Sequence, residues 1–322
     1  MTTCADRRQI PLSVSGMLVG AAIGLLAPRT APVFEALVGP ALVLLLFATF
    51  LAVPFADVRR SLGDLRFVSA ALVLSFVLVP VVVFGLSRFV AHDRALLVGV
   101  LLVLLTPCVD YVIVFTRLAG GAAAKLLAVS PVLMLLQLVL LPVYLGMMAG
   151  LDVLEMVDAG PFVQAFVLFI ALPLGLAAFA QFLARRFALA RRVEKTMDAG
   201  TAPIMTATLA VIVAAQVDVV RAHASALLGL VPIYVAFLAI AAALGLVVAR
   251  VLCQGVASSR ALMFSAATRN SLVILPLALA LPAPLAPAAA AVVTQTLVEL
   301  VGMLVMVRVV PRLARRERLV PD

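Results

Sequence analysis

The sequence predicts an all-α integral membrane protein: ten transmembrane helices in two inverted five-helix repeats. Three observations predict it. The chain is 66% hydrophobic and 12% charged, against about 25% charged residues in soluble domains. Its apolar runs recur at roughly 20 residues, the length a hydrocarbon core requires. Its basic residues are partitioned: nineteen of the 24 Lys and Arg flank the runs on one side, four on the other, and Arg269 lies inside one. By the positive-inside rule both termini face the cytoplasm, which an even number of spans requires. The expected location is the plasma membrane, the inner membrane of a bacterium.

The same composition excludes other classes. No polar stretch is long enough to fold a soluble domain, and the mean hydropathy is +1.27. The +9 charge is accounted for by topology and does not indicate nucleic acid. Cys4, Cys108 and Cys253 match no disulfide framework or zinc spacing. No cofactor and no metal site are expected. His92 and His223 both fall at loop ends, and no HExxH or GxSxG occurs, so intramembrane catalysis lacks the partners it needs.

Taken in order, the expected spans are 10–27, 34–55, 67–89, 95–115, 126–149, 162–183, 202–217, 226–248, 261–281 and 285–307. Span one follows Arg7 and Arg8 and carries Gly16, Gly20 and Gly24 four apart, a helix-packing face rather than a cleaved leader. Residues 185–195 read as the longest cytoplasmic connection. The acidic loop 151–160 divides the chain into residues 1–158 and 159–322, each with five spans. An odd number per half inserts the second half upside down, the geometry of inverted-repeat transporters.

Span four contains Thr106-Pro107-Cys108 and Asp110. Proline breaks the helix, and lipid tolerates non-helical backbone or an ionised side chain only inside protein or a water-filled cavity. A proline kink with a buried Cys and a satisfied Asp is the bland reading. The three together point to a substrate site. Thr106 reads as an N-cap, Pro107 as N1 and Cys108 as first turn, where amides and dipole favour anions. Span nine, the fourth of its half, holds Thr268-Arg269-Asn270-Ser271. A guanidinium at the bilayer centre costs about 2.5–3.5 kcal/mol, so it needs a partner. Span ten places Ala288, Ala291, Gln295, Glu299 and Gly302 on one small-and-polar stripe. Pairing Asp110 with Arg269 leaves Glu299 to exchange protons. The expected substrate-binding set is Thr106, Pro107, Cys108, Arg269 and Asn270, with Glu299 and Asp110 in ion or proton coupling.

These motifs and the order of elements resemble the bile acid:sodium symporter superfamily, in particular its arsenite-efflux branch. The resemblance covers nearly the whole chain and rests most on Thr106-Pro107-Cys108 and Leu297-Val298-Glu299. It implies transport through Cys108 and Glu299, with spans four and nine unwound and crossed. Proton-coupled export of arsenite or a similar thiophilic oxyanion species follows, Cys108 being a soft arsenic(III) ligand. The alternative is an organic-anion carrier with Arg269 as clamp. Asp110 and Arg269 depart from the exporter pattern. Arg269-Asn270 stands where the sodium-coupled branch carries Gln-Asn, so a fixed guanidinium is expected to weaken sodium dependence. The partners expected are the lipid bilayer, a small inorganic or organic anion, and protons.

Overall fold

The computed structural model describes residues 4–51, 63–108, 111–150, 167–222 and 224–314. Its α-helices are α1 (Cys4–Leu26), α2 (Ala31–Leu51), α3 (Leu65–Val73), α4 (Val79–Ser87), α5 (Arg94–Leu104), α6 (Tyr111–Leu118), α7 (Ala123–Ala149), α8 (Leu172–Ala184), α9 (Ala188–Ala222), α10 (Ala224–Val251), α11 (Val256–Ala267), α12 (Ser271–Leu279) and α13 (Pro287–Leu313). Among the described residues the strand geometry is confined to one isolated bridge, Pro107 with Arg269. Four helical stretches are long and apolar enough to cross a membrane by length and composition: Pro28–Ala48, Leu65–Val90, Leu227–Val251 and Ala283–Leu313. The chain is a multi-pass helical membrane protein.

Prolines shape several helices. Pro80 and Pro173 each follow a wide π turn, Leu74–Leu78 and Val167–Ala171. Proline has no N–H, so the carbonyl four residues earlier loses its helical donor. For Pro80 that carbonyl is Phe76, and the hydroxyl of Tyr144 on α7 donates to it instead. Packing of α7 therefore repairs the defect in the neighbouring span.

The connection expected over residues 185–195 is shorter than the sequence suggested. The α9 helix starts at Ala188 and runs 35 residues, because Ala, Leu, Arg, Glu and Lys all favour helix. At 1.5 Å per residue it is about 50 Å long, more than a hydrocarbon core. It is the spine of one packing group, formed by α1, α2, α8 and α9. The Gly16, Gly20 and Gly24 face is what lets α1 lie against it. A Cβ on Gly20 would run into the Ala210 carbonyl oxygen, and one on Gly16 would meet the Thr206 carbonyl oxygen at 2.6 Å.

In the second group α5 and α10 both pack on α13, with α11 against α10 and α12 against α13. Both groups draw on helices from both halves of the sequence. The stripe on α13 lies in this second interior: Ala288, Ala291, Gln295 and Glu299 are buried. Gly99 of α5 sits against Ala288, where a Cβ would come within 2.7 Å of its carbonyl oxygen.

Candidate functional site

The site is built from a backbone problem. Pro107 has no amide and forces the residue before it out of α geometry, so α5 ends at Leu104. The Thr106 hydroxyl turns back to the Leu102 and Val103 carbonyls (3.1 and 3.0 Å). At the matching break, the Thr268 hydroxyl donates to the Phe264 carbonyl at 2.7 Å. The two extended segments then pair across the chain. The Cys108 amide donates to the Thr268 carbonyl (3.4 Å), and the Asn270 amide to the Thr106 carbonyl (2.9 Å). The exchange is symmetric: in each Thr-X-X triplet the first carbonyl accepts and the third amide donates.

Two amides are thereby diverted from their own helices, and a third, that of Arg269, donates to the Glu299 carboxylate. Cys108, Arg269 and Asn270 would otherwise serve the carbonyls of Leu104, Ser265 and Ala266, four residues back. Those are the carbonyls that the Arg269 guanidinium reaches. One terminal nitrogen lies 3.5 Å from the Leu104 oxygen; the other donates to Ser265 at 3.1 Å and to Ala266. The guanidinium carbon stands 5.2 Å over the Phe237 ring, and Arg269 is 0% exposed. A cation at helix C-terminal carbonyls is electrostatically favourable, so the guanidinium supplies donors to acceptors that have lost their helical amides.

Glu299 completes the crossing. Its carboxylate accepts the Arg269 main-chain N–H at 2.8 Å and the Gln295 side-chain amide. One peptide group, the Thr268 carbonyl with the Arg269 N–H, thus bonds to the Cys108 amide on one side and to Glu299 on the other. Asn270 caps α12 by accepting the Val273 amide at 3.3 Å. Its side-chain Nδ2, the hydroxyls of Ser265 and Ser271 and the Gln295 Oε1 are buried without a hydrogen-bond partner among the described residues. Buried polar groups are ordinarily paired, so the crossing has unused donors and acceptors.

The structure brings Thr106, Pro107, Cys108, Arg269, Asn270 and Glu299 together. Asp110, expected to pair with Arg269, lies outside the described residues. Two expectations need correction. Thr106 is not an N-cap: its hydroxyl donates to carbonyls at the end of α5, and Cys108 sits in the extended segment rather than on a first turn. The guanidinium of Arg269, expected as an anion clamp, has both terminal nitrogens at main-chain carbonyls. Sequence reasoning missed Ser265 and Phe237, which carry no local signal. It saw Gln295 only as part of the stripe.

Half-helices that break and cross at a buried, charge-bearing centre, within a multi-pass helical protein, define a membrane carrier. Residues 39–223 match the Sodium Bile acid symporter family, and the chain belongs to that family of transporters. The matched stretch carries Thr106, Pro107 and Cys108, while Arg269, Asn270 and Glu299 lie beyond it. No curated protein matches the chain.

Proposed function

We propose that the protein is a proton-coupled secondary exporter of arsenite or a similar thiophilic oxyanion species, working by alternating access between two inverted halves, residues 1–158 and 159–322, with both termini cytoplasmic in the plasma membrane. The observation that carries the reading is the single peptide group that bonds to both Cys108 and Glu299. A trivalent arsenic trihydroxide exchanges one hydroxyl for the Cys108 sulfur: an As–S bond forms, an As–O bond breaks, and the thiol proton leaves with the hydroxyl as water. The unpaired polar atoms of Ser265, Asn270 and Ser271 suit the remaining hydroxyls. Adding a proton to Glu299 weakens its hold on the Arg269 amide and so loosens the crossing that seats Cys108. Hydrogen bonds in such chains polarise one another, which links proton and solute binding.

Coupling by protons rather than sodium rests on Arg269. A hard cation seeks oxygen ligands such as helix-end carbonyls. The acceptors at this crossing, Leu104, Ser265 and Ala266, already hold a guanidinium. The local symmetry of the two Thr-X-X triplets supports the inverted halves.

The family's description favours a second reading, an organic-anion carrier. There the anion meets the polar atoms of Asn270 and Ser271, not the engaged Arg269. Arsenite accumulation in everted vesicles under an imposed pH gradient distinguishes the two. The first reading expects accumulation that collapses in Cys108→Ser and is indifferent to a sodium gradient. Accumulation unchanged in Cys108→Ser, or driven only by sodium, refutes it.

A further inference from the structure

We propose that the outer face of the α2–α8 pair is a binding site for an anionic phospholipid, with its acyl chain in an apolar groove and its headgroup on an arginine cluster. The groove has a volume of about 760 Å³, and its lining includes Val43 and Phe47 of α2, Leu176, Phe179 and Leu183 of α8, and Val193 of α9. Among the described residues, every one that lines it is apolar. Phe179 is 60% exposed along it, so the groove opens outward from the helix pair. The Gln181 side chain donates to the Leu51 carbonyl at 2.9 Å, which ties α8 to the end of α2 and holds the trough in shape.

One end of the trough is marked by charge. Leu183 and Val193 bracket the sequence Ala184-Arg185-Arg186-Phe187-Ala188-Leu189-Ala190-Arg191-Arg192. Arg185, Arg186, Arg191 and Arg192 are all exposed, and among the described residues none of them forms an ion pair. Arg186 lies 5.6 Å over the Phe182 ring, which holds it at the mouth of α8. Clustered arginines beside a membrane helix attract anionic headgroups, and guanidinium matches phosphate oxygens with paired donors. A groove within the size range of ligand sites, apolar along its length and cationic at one end, has the amphipathic pattern of a single phospholipid. A second copy of the chain fits less well. Symmetric pairing through this face would bring the two arginine clusters toward each other.

The test uses the full-length protein purified in mild detergent. It is titrated with phosphatidylglycerol or phosphatidylcholine of identical acyl chains, and bound lipid is counted by native mass spectrometry. Phosphatidylglycerol is expected to be retained preferentially and to raise the melting temperature. R185Q/R186Q/R191Q/R192Q is expected to lose that preference by roughly fivefold for each arginine engaged, with phosphatidylcholine retention unchanged. Leu44→Trp and Ala180→Trp, which fill the trough, are expected to reduce retention of both lipids. Should the quadruple variant not fold, R185Q/R186Q leaves α9 untouched and reads the same preference. Equal retention of the two lipids, or a preference that survives removal of the arginines, overturns the proposal. So does a dimer that Leu44→Trp dissociates without changing lipid retention, which identifies the occupant as a second copy.

Discussion

Replacing Arg269 with alanine tests the accounting at the crossing most directly. The substitution strips donors from the Leu104, Ser265 and Ala266 carbonyls, whose own helical amides are engaged elsewhere. The Leu104 contact, at 3.5 Å, is at the limit of a hydrogen bond and contributes little. The other two acceptors are left buried, at about 1–3 kcal/mol each. Loss of the guanidinium over Phe237 adds about 0.5–2 kcal/mol. Against this, the variant no longer buries a charge that costs about 2.5–3.5 kcal/mol. The losses outweigh the relief, and a net destabilisation of about 2–4 kcal/mol is expected when Glu299 is left facing a less positive crossing. Spread over a chain of 322 residues, that corresponds to a drop in melting temperature of roughly 3–6 °C. The chain contains no Trp, so the melt is followed by helical circular dichroism or by loss of the monodisperse peak in detergent. Arg269→Lys retains the charge but not the fork and is expected to fall between wild type and alanine. Sodium, compared with choline at equal ionic strength, is expected to recover part of the loss in Arg269→Ala and to leave wild type unchanged. A melt within about 2 °C of wild type for the alanine variant, or a wild type that sodium stabilises strongly, refutes the reasoning.

Other outcomes follow from single contacts. Glu299→Gln retains an acceptor for the Arg269 amide, so a folded protein with at least about tenfold lower pH-driven transport is expected; undiminished transport removes Glu299 from coupling. Gly20→Ala forces its Cβ against the Ala210 carbonyl and is expected to cost about 1–3 kcal/mol. Gly85→Ala, with nothing within 4 Å, is expected to be neutral or to gain up to about 1 kcal/mol; matched melts for the two variants contradict the close approach of α1 and α9. Asp64, at the N-cap of α3, bonds to Lys125 at 2.7 Å and to the Phe67 amide at 3.1 Å. The hydrogen bond from Lys125 is the main cause holding its carboxyl below the ordinary Asp range, with the Phe67 amide assisting against partial burial. Because the folded form binds its proton less readily than the unfolded form, this stabilisation is complete above the unfolded value. It disappears as pH falls through the folded value, below about pH 4. Asp64→Ala is expected to flatten that part of a melting-temperature profile and to cost about 0.5–2 kcal/mol at neutral pH through the lost cap.

Much of this protein is written locally. A bilayer imposes a length on each apolar run, and a helix imposes a period on its faces. The long apolar helices, the glycine face at Gly16, Gly20 and Gly24, and the breaks at Pro107 and Arg269 are therefore visible one segment at a time. The chemistry of Cys108, Arg269 and Glu299 is likewise conspicuous because charge and thiol are rare in apolar runs. What those residues do to one another is not local. The Arg269 guanidinium and the Leu104 carbonyl are 165 residues apart in sequence, and no pattern within either span specifies that pairing. Tertiary structure alone decides that Thr106 closes a helix rather than opening one, that α9 extends through residues expected to be a connection, and that helices of both halves share each packing group. The physical reason is the one that organises the crossing. Local sequence determines which backbone groups lose their helical partners, and only packing of distant segments determines which groups replace them.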